Sequence, residues 1–545
     1  MKLKKLKLLS KFRGLPKGYE INFSNHKNDE LAINPICFIG LNGSGKSNLL
    51  ELISEVFYYL ENFNRASTKE LGRLKTSFGF EIEYSQSKIT LYENGFYLSD
   101  LAKELIDDKD VIKIVSINKK PDELPEFKVS FDANKRKIKL EDEAQIFAVL
   151  PRYVLGYSSG MNELLSNPFI KMDFDYLKEI NQKTTEAKRS TLEINRLFYL
   201  NYNSSKLVTI CNLIFDLENI KSFKDELQIK KLNSFSINIK QEKTKDNRDY
   251  FPSELNLAIN TFQSLDPFFD KKEKTSLKYK DIVEYHFNFT LNSAVIEGFK
   301  NEFKTPINLF RILYNFQILN LDLVGRKTVN RIKNTSAKSK NNLSDLIPKK
   351  EKDQLVFSID SIALKKEKVK DSVYFKQLSD GEHQMLQVLG SIALFNNKST
   401  LFLLDEPTTH FNPEWRSKFI YLMNQSVGED EREQEVLLTT HSPFIVSDSK
   451  KENVIRTING NKKTFEYPSE ETYGASVRIL LSKLFNQKKS IGEFSYGDLF
   501  KLYEKVNSIK NEEDIQFIKD ESLKFGDSPE KIMLFHLLSQ KIKSF

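Results

Sequence analysis

Residues 36–57 read ICFIGLNGSGKSNLLELISEVF. A short apolar run enters a glycine-rich turn and leaves it as a helix, with Leu49, Leu50, Ile53, Val56, Phe57 and Leu60 at helical spacing. The turn, Gly40 to Ser47, is a complete GxxxxGK[ST] loop made of Gly40, Leu41, Asn42, Gly43, Ser44, Gly45, Lys46 and Ser47, with Asn48 opening the helix behind it. Its glycines free backbone N–H groups to wrap phosphates at a helix N-terminus, Lys46 neutralises β and γ oxygens, and Ser47 offers a hydroxyl to Mg2+. Strand, loop and helix stand in the order that ATP binding requires.

Outward from this loop, composition sets bounds. The chain has 545 residues, 39% hydrophobic and 29% charged, enough for two to four domains or one head with large insertions. Cys37 and Cys211 lie in apolar surroundings without a CxxC partner, so buried thiols in a reducing, cytoplasmic setting are expected. No run approaches eighteen apolar residues, and MKLKKLKLL alternates Lys and Leu as a strand does, so no membrane segment or signal is expected. Net charge is +8, from 83 basic and 75 acidic residues, which does not separate a nucleic-acid binder from an ordinary basic enzyme.

The fold class expected is α/β. Residues 1–165 read as the first part of an ATPase head and 371–470 as its completion, with 166–370 a mainly helical insertion and 471–545 a helical tail. Within the insertion, 325–352 are basic and free of aromatic residues, which predicts a mobile linker and raises contact with nucleic acid. The tail ends in a helix started at Ser528-Pro529-Glu530, with Ile532, Phe535, Leu538 and Ile542 expected on one face.

Two further apolar runs resume the sheet. LFLLDEP delivers Asp405 and Glu406 at a strand end, where the first can hold Mg2+ and the second can orient or deprotonate the attacking water. EVLLTTHSPF ends at His441, placed to hydrogen-bond the γ-phosphate. Between loop and carboxylates stands LSDGE, where Ser379 and Glu382 have the spacing of a capping box.

Gly40–Ser47, Ser379–Glu382, Asp405-Glu406-Pro407 and His441, in that order, resemble the Walker A, signature, Walker B and switch-histidine elements of ABC-type ATPases. The long insertion, the SDGE signature, FRGL near the start and TTHSPFIV are more narrowly similar to the RecF/SMC-like, OLD-related branch. The resemblance implies an ATP-sandwich homodimer or higher assembly, in which Ser379, Gly381 and Glu382 of one head complete the ATP site of the other. Lys46, Glu406 and His441 would then be the catalytic groups, and Ser47 and Asp405 would hold the metal. YVLGYSSGMNELLS, TYGASVRILLSKLF and SIGEFS resemble PtuA, the ATPase subunit of Septu-type and retron-associated antiphage systems. That resemblance implies a separate HNH nuclease subunit, PtuB, and in the retron form a reverse transcriptase with its msDNA.

The chain departs from the wider pattern in places. Asp380 stands where transporters carry a second glycine, and THFNPEW replaces the usual turn after the second carboxylate, which puts Asn412 at the position expected to cross the dimer interface, with His410 and His383 beside it. Residues 152–166 occupy the place of the glutamine loop, without an identifiable glutamine in that role. The six histidines are scattered and form no HNH site, and Asp173-Phe174-Asp175 reads as a solvated turn, so nuclease activity is assigned to a partner. A RecF/SMC-like repair ATPase, which would bind DNA in a salt-dependent way, and an OLD-like relative lacking its nuclease domain are the alternatives.

Overall fold

The computed structural model describes residues 1–23, 34–41, 43–67, 69–87, 112–131, 137–160, 164–185, 195–244, 251–275, 280–396, 399–427, 434–458, 465–487 and 489–543. At its centre is a seven-stranded sheet. Its strands are β1 (Ile36–Ile39), β2 (Tyr153–Ser158), β3 (Leu197–Tyr199), β4 (Thr400–Asp405), β5 (Glu435–Thr439), β6 (Val454–Thr457) and β7 (Phe465–Glu466). They lie in the order β7-β6-β1-β5-β4-β2-β3, parallel except for the β6–β7 pair. The runs ICFI and EVLLT are buried along their whole length, as parallel strands covered on both faces must be.

Helix α1 (Lys46–Arg65) leaves β1 through the glycine loop. It lies between the central sheet and a six-stranded antiparallel sheet of Glu20–Asn22, Lys2–Leu8, Phe80–Ser87, Ile112–Lys119, Glu126–Phe131 and Lys137–Leu140. Leu3 and Leu6 from that sheet, Leu49 and Ile53 from α1, and Leu401 and Leu437 from the central sheet share one core. The alternation of Lys and Leu at the start of the chain is thus a half-buried strand with its leucines against α1.

The segment expected to be mainly helical carries long strands as well. Ile229–Thr244 pairs with Lys280–Thr290 on one side and Phe357–Lys366 on the other, and Asp270–Thr275 and Val373–Tyr374 complete a five-stranded antiparallel sheet. The sequence SFSINIKQ shows why: Phe235, Ile237 and Ile239 alternate with polar residues at period two, a strand signal inside a composition rich in Lys and Asn. The same segment also supplies β3 to the edge of the central sheet.

Helices α2 (Tyr202–Phe215), α3 (Asp380–Leu394) and α4 (Pro413–Gln425) join this layer to the head. Asn212 on α2 donates to the carbonyl of Gly390 on α3 at 2.8 Å, and Leu207, Val208 and Leu389 belong to one buried cluster.

Residues 325–352 are packed rather than a free linker. Arg326–Lys333 is helical, Ile332 and Leu343 are fully buried, and Leu343 N–H bonds the Asn167 side chain at 2.9 Å. The few apolar side chains in this polar run are the ones that anchor it. Asp173 and Asp175, read as a solvated turn, lie within the helix Asn167–Thr185. Asp173 accepts from Tyr314 at 2.8 Å and Asp175 pairs with Lys333 at 2.7 Å.

Helices Glu493–Asn507, Glu512–Ser522 and Pro529–Lys543 have a small core of their own, centred on Leu499, Leu502, Val506, Leu534 and Leu538. On the last helix the buried pair is Leu534 and Leu538, four apart, while Ile532 is 68% exposed. Of the expected stripe Ile532, Phe535, Leu538 and Ile542, Leu538 is buried and the other three are exposed, because the helix rolls to put Leu534 inward beside Leu538.

Candidate nucleotide site

Because β5 lies between β1 and β4, the turns after these three strands open at the same sheet edge. The glycine loop after β1 is tightly seated. Gly40 has φ +144°, and a Cβ there would fall 2.5 Å from Thr457 Oγ1, so only glycine fits. Lys46 is buried, and its Nζ donates to the carbonyls of Gly40 at 3.0 Å and Leu41 at 3.3 Å and lies 3.1 Å from His441 Nε2. Ser47 Oγ donates to Asp405 Oδ1 at 3.1 Å. The structure brings Lys46, Ser47, Asp405, Glu406 and His441 into one cluster. Asn42 lies outside the described residues; Gly43, Ser44, Gly45 and Asn48 lie in or directly behind the loop.

Glu406 is the strained member. Its φ of +52° is left-handed, an uncommon state for a side chain of this size, held by Thr439 Oγ1, which accepts from the Glu406 N–H at 3.0 Å. The His441 N–H donates to Glu406 Oε2 at 3.3 Å, and Oε1 is buried with no hydrogen bond, 3.6 Å from His441 Nε2. Burial first, and the Asp405 charge second, raise the Glu406 carboxyl to about 7. Burial lowers Lys46, partly offset by Glu406 and Asp405, and burial together with the Lys46 charge lowers His441. A neutral imidazole unprotonated at Nε2 can accept from the Lys46 ammonium across the 3.1 Å contact.

Three residues at this site escaped the sequence argument. Thr439, fully buried, donates to Asp405 Oδ1 at 2.5 Å as well as holding Glu406. Thr457 bonds Ser44 Oγ at 2.6 Å and the Ile39 carbonyl at 3.0 Å, tying β6 to the loop. Ser158, at the end of β2, donates to Asp405 Oδ2 at 3.4 Å, so the stretch set in the glutamine-loop position reaches the second strand end with a serine. Hydroxyl residues at strand ends are too common to single out; the one available signal was that TT and SS both close buried runs.

The LSDGE turn behaves differently. Ser379 is the N-cap of α3: Glu382 N–H donates to its Oγ at 3.4 Å while Glu382 Oε2 accepts from the Ser379 N–H at 2.7 Å. Ser379 and Asp380 are exposed, and among the described residues no hydrogen bond links Ser379 to the glycine loop. A Cβ on Gly381 would fall 2.8 Å from the His410 carbonyl, so the turn after Glu406 sits directly on this helix start. Gln384 reinforces the contact by accepting from the His410 N–H at 2.9 Å. His410 and Asn412 are exposed, and Asn412 caps α4 through the Trp415 N–H at 2.7 Å. His383 instead points into the protein, its ring against Phe375 at 4.5 Å.

A family model described as "AAA domain, putative AbiEii toxin, Type IV TA system" matches residues 218–447. The match supports an AAA/ABC-like ATPase. It spans Ser379, Asp405, Glu406 and His441, while the glycine loop precedes it in the chain. An ATPase domain of this kind indicates nucleotide hydrolysis in general and generally works with ATP and Mg2+. The mixed sheets and flanking helices are consistent with a P-loop ATPase. No curated protein matches the chain. Among the described residues, no helix is long and apolar enough to cross a membrane, and no cluster of three His, Cys, Asp or Glu side chains could hold a metal by itself.

The residues fit Mg2+ with a triphosphate. Ser47 Oγ and Asp405 Oδ1 are adjacent hard oxygen donors, the usual protein share of a magnesium site whose other ligands are phosphate and water. The unpartnered Glu406 Oε1 next to them is a buried acceptor that a water could satisfy.

Proposed function

We propose that this chain is the ATP-binding and hydrolysing subunit of a bacterial antiphage defence complex, in which two copies clasp ATP between their heads and thereby control a separate HNH nuclease. The observation that carries the ATPase part is the convergence of Lys46, Ser47, Asp405, Glu406 and His441 at one sheet edge, with one buried carboxylate oxygen left free. When bound, Mg2+ would neutralise phosphate charge in the hydrolysis step. Lys46 and the glycine-loop N–H groups bind and orient the phosphates. Asp405 and Ser47 would hold the ion, and Thr439 fixes Asp405 for that task. Glu406, raised by burial, is suited to take the proton of an attacking water at Oε1. His441 holds the other Glu406 oxygen through its main chain and contacts Lys46 through its ring.

The two-copy part draws on the exposed start of α3. Ser379, its hydroxyl shared with Glu382 in the capping box, stands with the start of α3 at an exposed surface with no hydrogen bond to its own glycine loop among the described residues, a helix start suited to a γ-phosphate held by a second subunit. The defence part draws on the resemblance to PtuA and on the matched family description, which includes a toxin of a toxin–antitoxin system. A nuclease partner, and in the retron form a reverse transcriptase with its RNA–DNA, belong to the same proposal.

Mixing decides whether sites are shared. A Lys46→Ala chain mixed with a Ser379→Ala chain should recover turnover that neither has alone, because the heterodimer holds one intact composite site. A mixture no more active than its components would remove the two-copy reading.

A further inference from the structure

Two adjoining cavities open beside the start of α3, apart from the cluster around Lys46. The first, of about 280 Å³, is lined by Tyr202, Tyr374, Phe375, Lys206 and Lys376. The second, of about 290 Å³, shares Lys206, Ile359 and Asp360 with the first and adds Asn203, Asn320 and Lys352. Tyr202 is 50% and Tyr374 45% exposed, large rings left facing open space. Tyr202 and Asn203 occupy the first turn of α2, the end of a helix that favours negative charge.

The charges around the shared wall are unequal. Asp360 is already engaged, by Lys352 at 2.8 Å, by Ser358 Oγ at 2.9 Å and by His286 at 3.8 Å. Lys206 makes no hydrogen bond or ion pair to a described residue; its ammonium lies 4.8 Å from the centre of the Tyr202 ring. Burial lowers its pKa, and Lys352 lowers it further, with Asp360 opposing. A half-buried cation without a paired anion, at the junction of two cavities and beside aromatic walls, is suited to a ligand that combines a planar ring with a phosphate.

The same walls touch the Ser379 turn. The Phe375 and Tyr202 rings pack edge-on against His383 at 4.5 and 5.6 Å. The strand Phe357–Lys366, which supplies Ile359 and Asp360 to the cavities, also supplies Lys366, which pairs with Glu382, the residue that caps Ser379.

We propose that these cavities bind a nucleoside phosphate, with its base against Tyr202, Tyr374 and Phe375 and its phosphate at Lys206, and that occupancy is relayed through His383 and Glu382 to the Ser379 turn. The source is a free nucleotide or a single-stranded nucleic acid, which share this chemistry. The relay rests on the ATPase function proposed above; the binding does not.

Binding is measured by fluorescence anisotropy on the Lys46→Ala chain, so that the glycine loop does not contribute. The probe is a short fluorescein-labelled oligothymidylate, with thymidine monophosphate as competitor. Binding should weaken roughly ten- to hundredfold in Lys206→Gln and in Tyr374→Ala, the range expected for losing one phosphate or stacking contact. Competition by the monophosphate at concentrations near those of the oligonucleotide identifies a free nucleotide; competition only at far higher concentrations identifies nucleic acid. Failure of both compounds to bind, or binding unchanged in both variants, overturns the site. For the relay, ATP turnover of the otherwise unmodified chain is followed with and without the compound that binds. Lys206→Gln should keep basal turnover and lose the response; an undiminished response overturns the relay. Absent turnover in the unmodified chain would overturn the ATPase function and the relay together, and the binding result would stand on its own.

Discussion

Glu406 and His441 are held to each other by the His441 main chain, whose N–H donates to Glu406 Oε2 at 3.3 Å and leaves Oε1 buried without a hydrogen bond. The backbone strain at Glu406 serves this placement. At φ +52° the Glu406 N–H donates to Thr439 Oγ1 at the end of β5 while the carboxylate meets the His441 main chain just beyond that strand.

From that pairing comes the first expectation. Glu406→Gln keeps the shape and the Oε2-side hydrogen bond but removes the basic oxygen. ATP binding should persist while turnover falls by about 10² to 10⁴, the usual worth of a general base. Phosphate release in steady state, alongside equilibrium nucleotide binding, measures both; unchanged turnover would remove Glu406 from its role.

Thr439 is tested by separating its hydroxyl from its shape. Thr439→Val leaves the Glu406 N–H without its acceptor and removes the shortest of the hydroxyl contacts that hold Asp405, which should cost about 1–3 kcal/mol of stability and raise the Mg2+ concentration needed for half-maximal turnover. Thr439→Ser should restore both. A valine variant with an unshifted Mg2+ requirement would show that Thr439 is only a packing residue.

Asp173 predicts a pH effect away from the nucleotide site. Burial raises its carboxyl from 3.8 to about 7, against the hydrogen bonds from Tyr314 and Asn195 that lower it. The native state therefore keeps a proton that the unfolded chain gives up. Its stabilising share is complete below the unfolded value and is lost as pH rises through about 7. Asp173→Asn should flatten this part of the profile, so that denaturation midpoints of variant and parent diverge in the variant's favour from mildly acidic to mildly alkaline pH. Parallel profiles would show that Asp173 ionises normally.

The C-terminal helices offer a test of local stability. Leu538 is 2% exposed in a small core with Leu499, Leu502 and Leu534, separate from the two larger clusters. Leu538→Ala should cost about 2–5 kcal/mol within that core. Hydrogen exchange should then accelerate across residues 493–543 and stay unchanged in β4 and β5. Acceleration throughout the chain would mean that the helices fold as one unit with the head.

What the sequence by itself determined was the order and chemistry of short segments. ICFIGLNGSGKS and LFLLDEP are legible because a buried parallel strand must be apolar throughout and a phosphate turn must be glycine-rich, and both constraints act within a dozen residues. The capping box at Ser379 is legible for the same local reason. The tertiary structure alone decided which strand lies beside which, and hence that Thr439, Thr457 and Ser158 stand among the charged residues, since a hydroxyl at a strand end has no mark of its own until its neighbour strand is known. It also decided the five-stranded sheet in the segment read as mainly helical, where pairing across more than a hundred residues overrode a Lys- and Asn-rich composition, and the inward face of the last helix, where packing kept Leu538 of the expected stripe but set Leu534 beside it in place of Ile532, Phe535 and Ile542. Spacing along a chain constrains one element at a time; contact between distant elements is a property of the folded core.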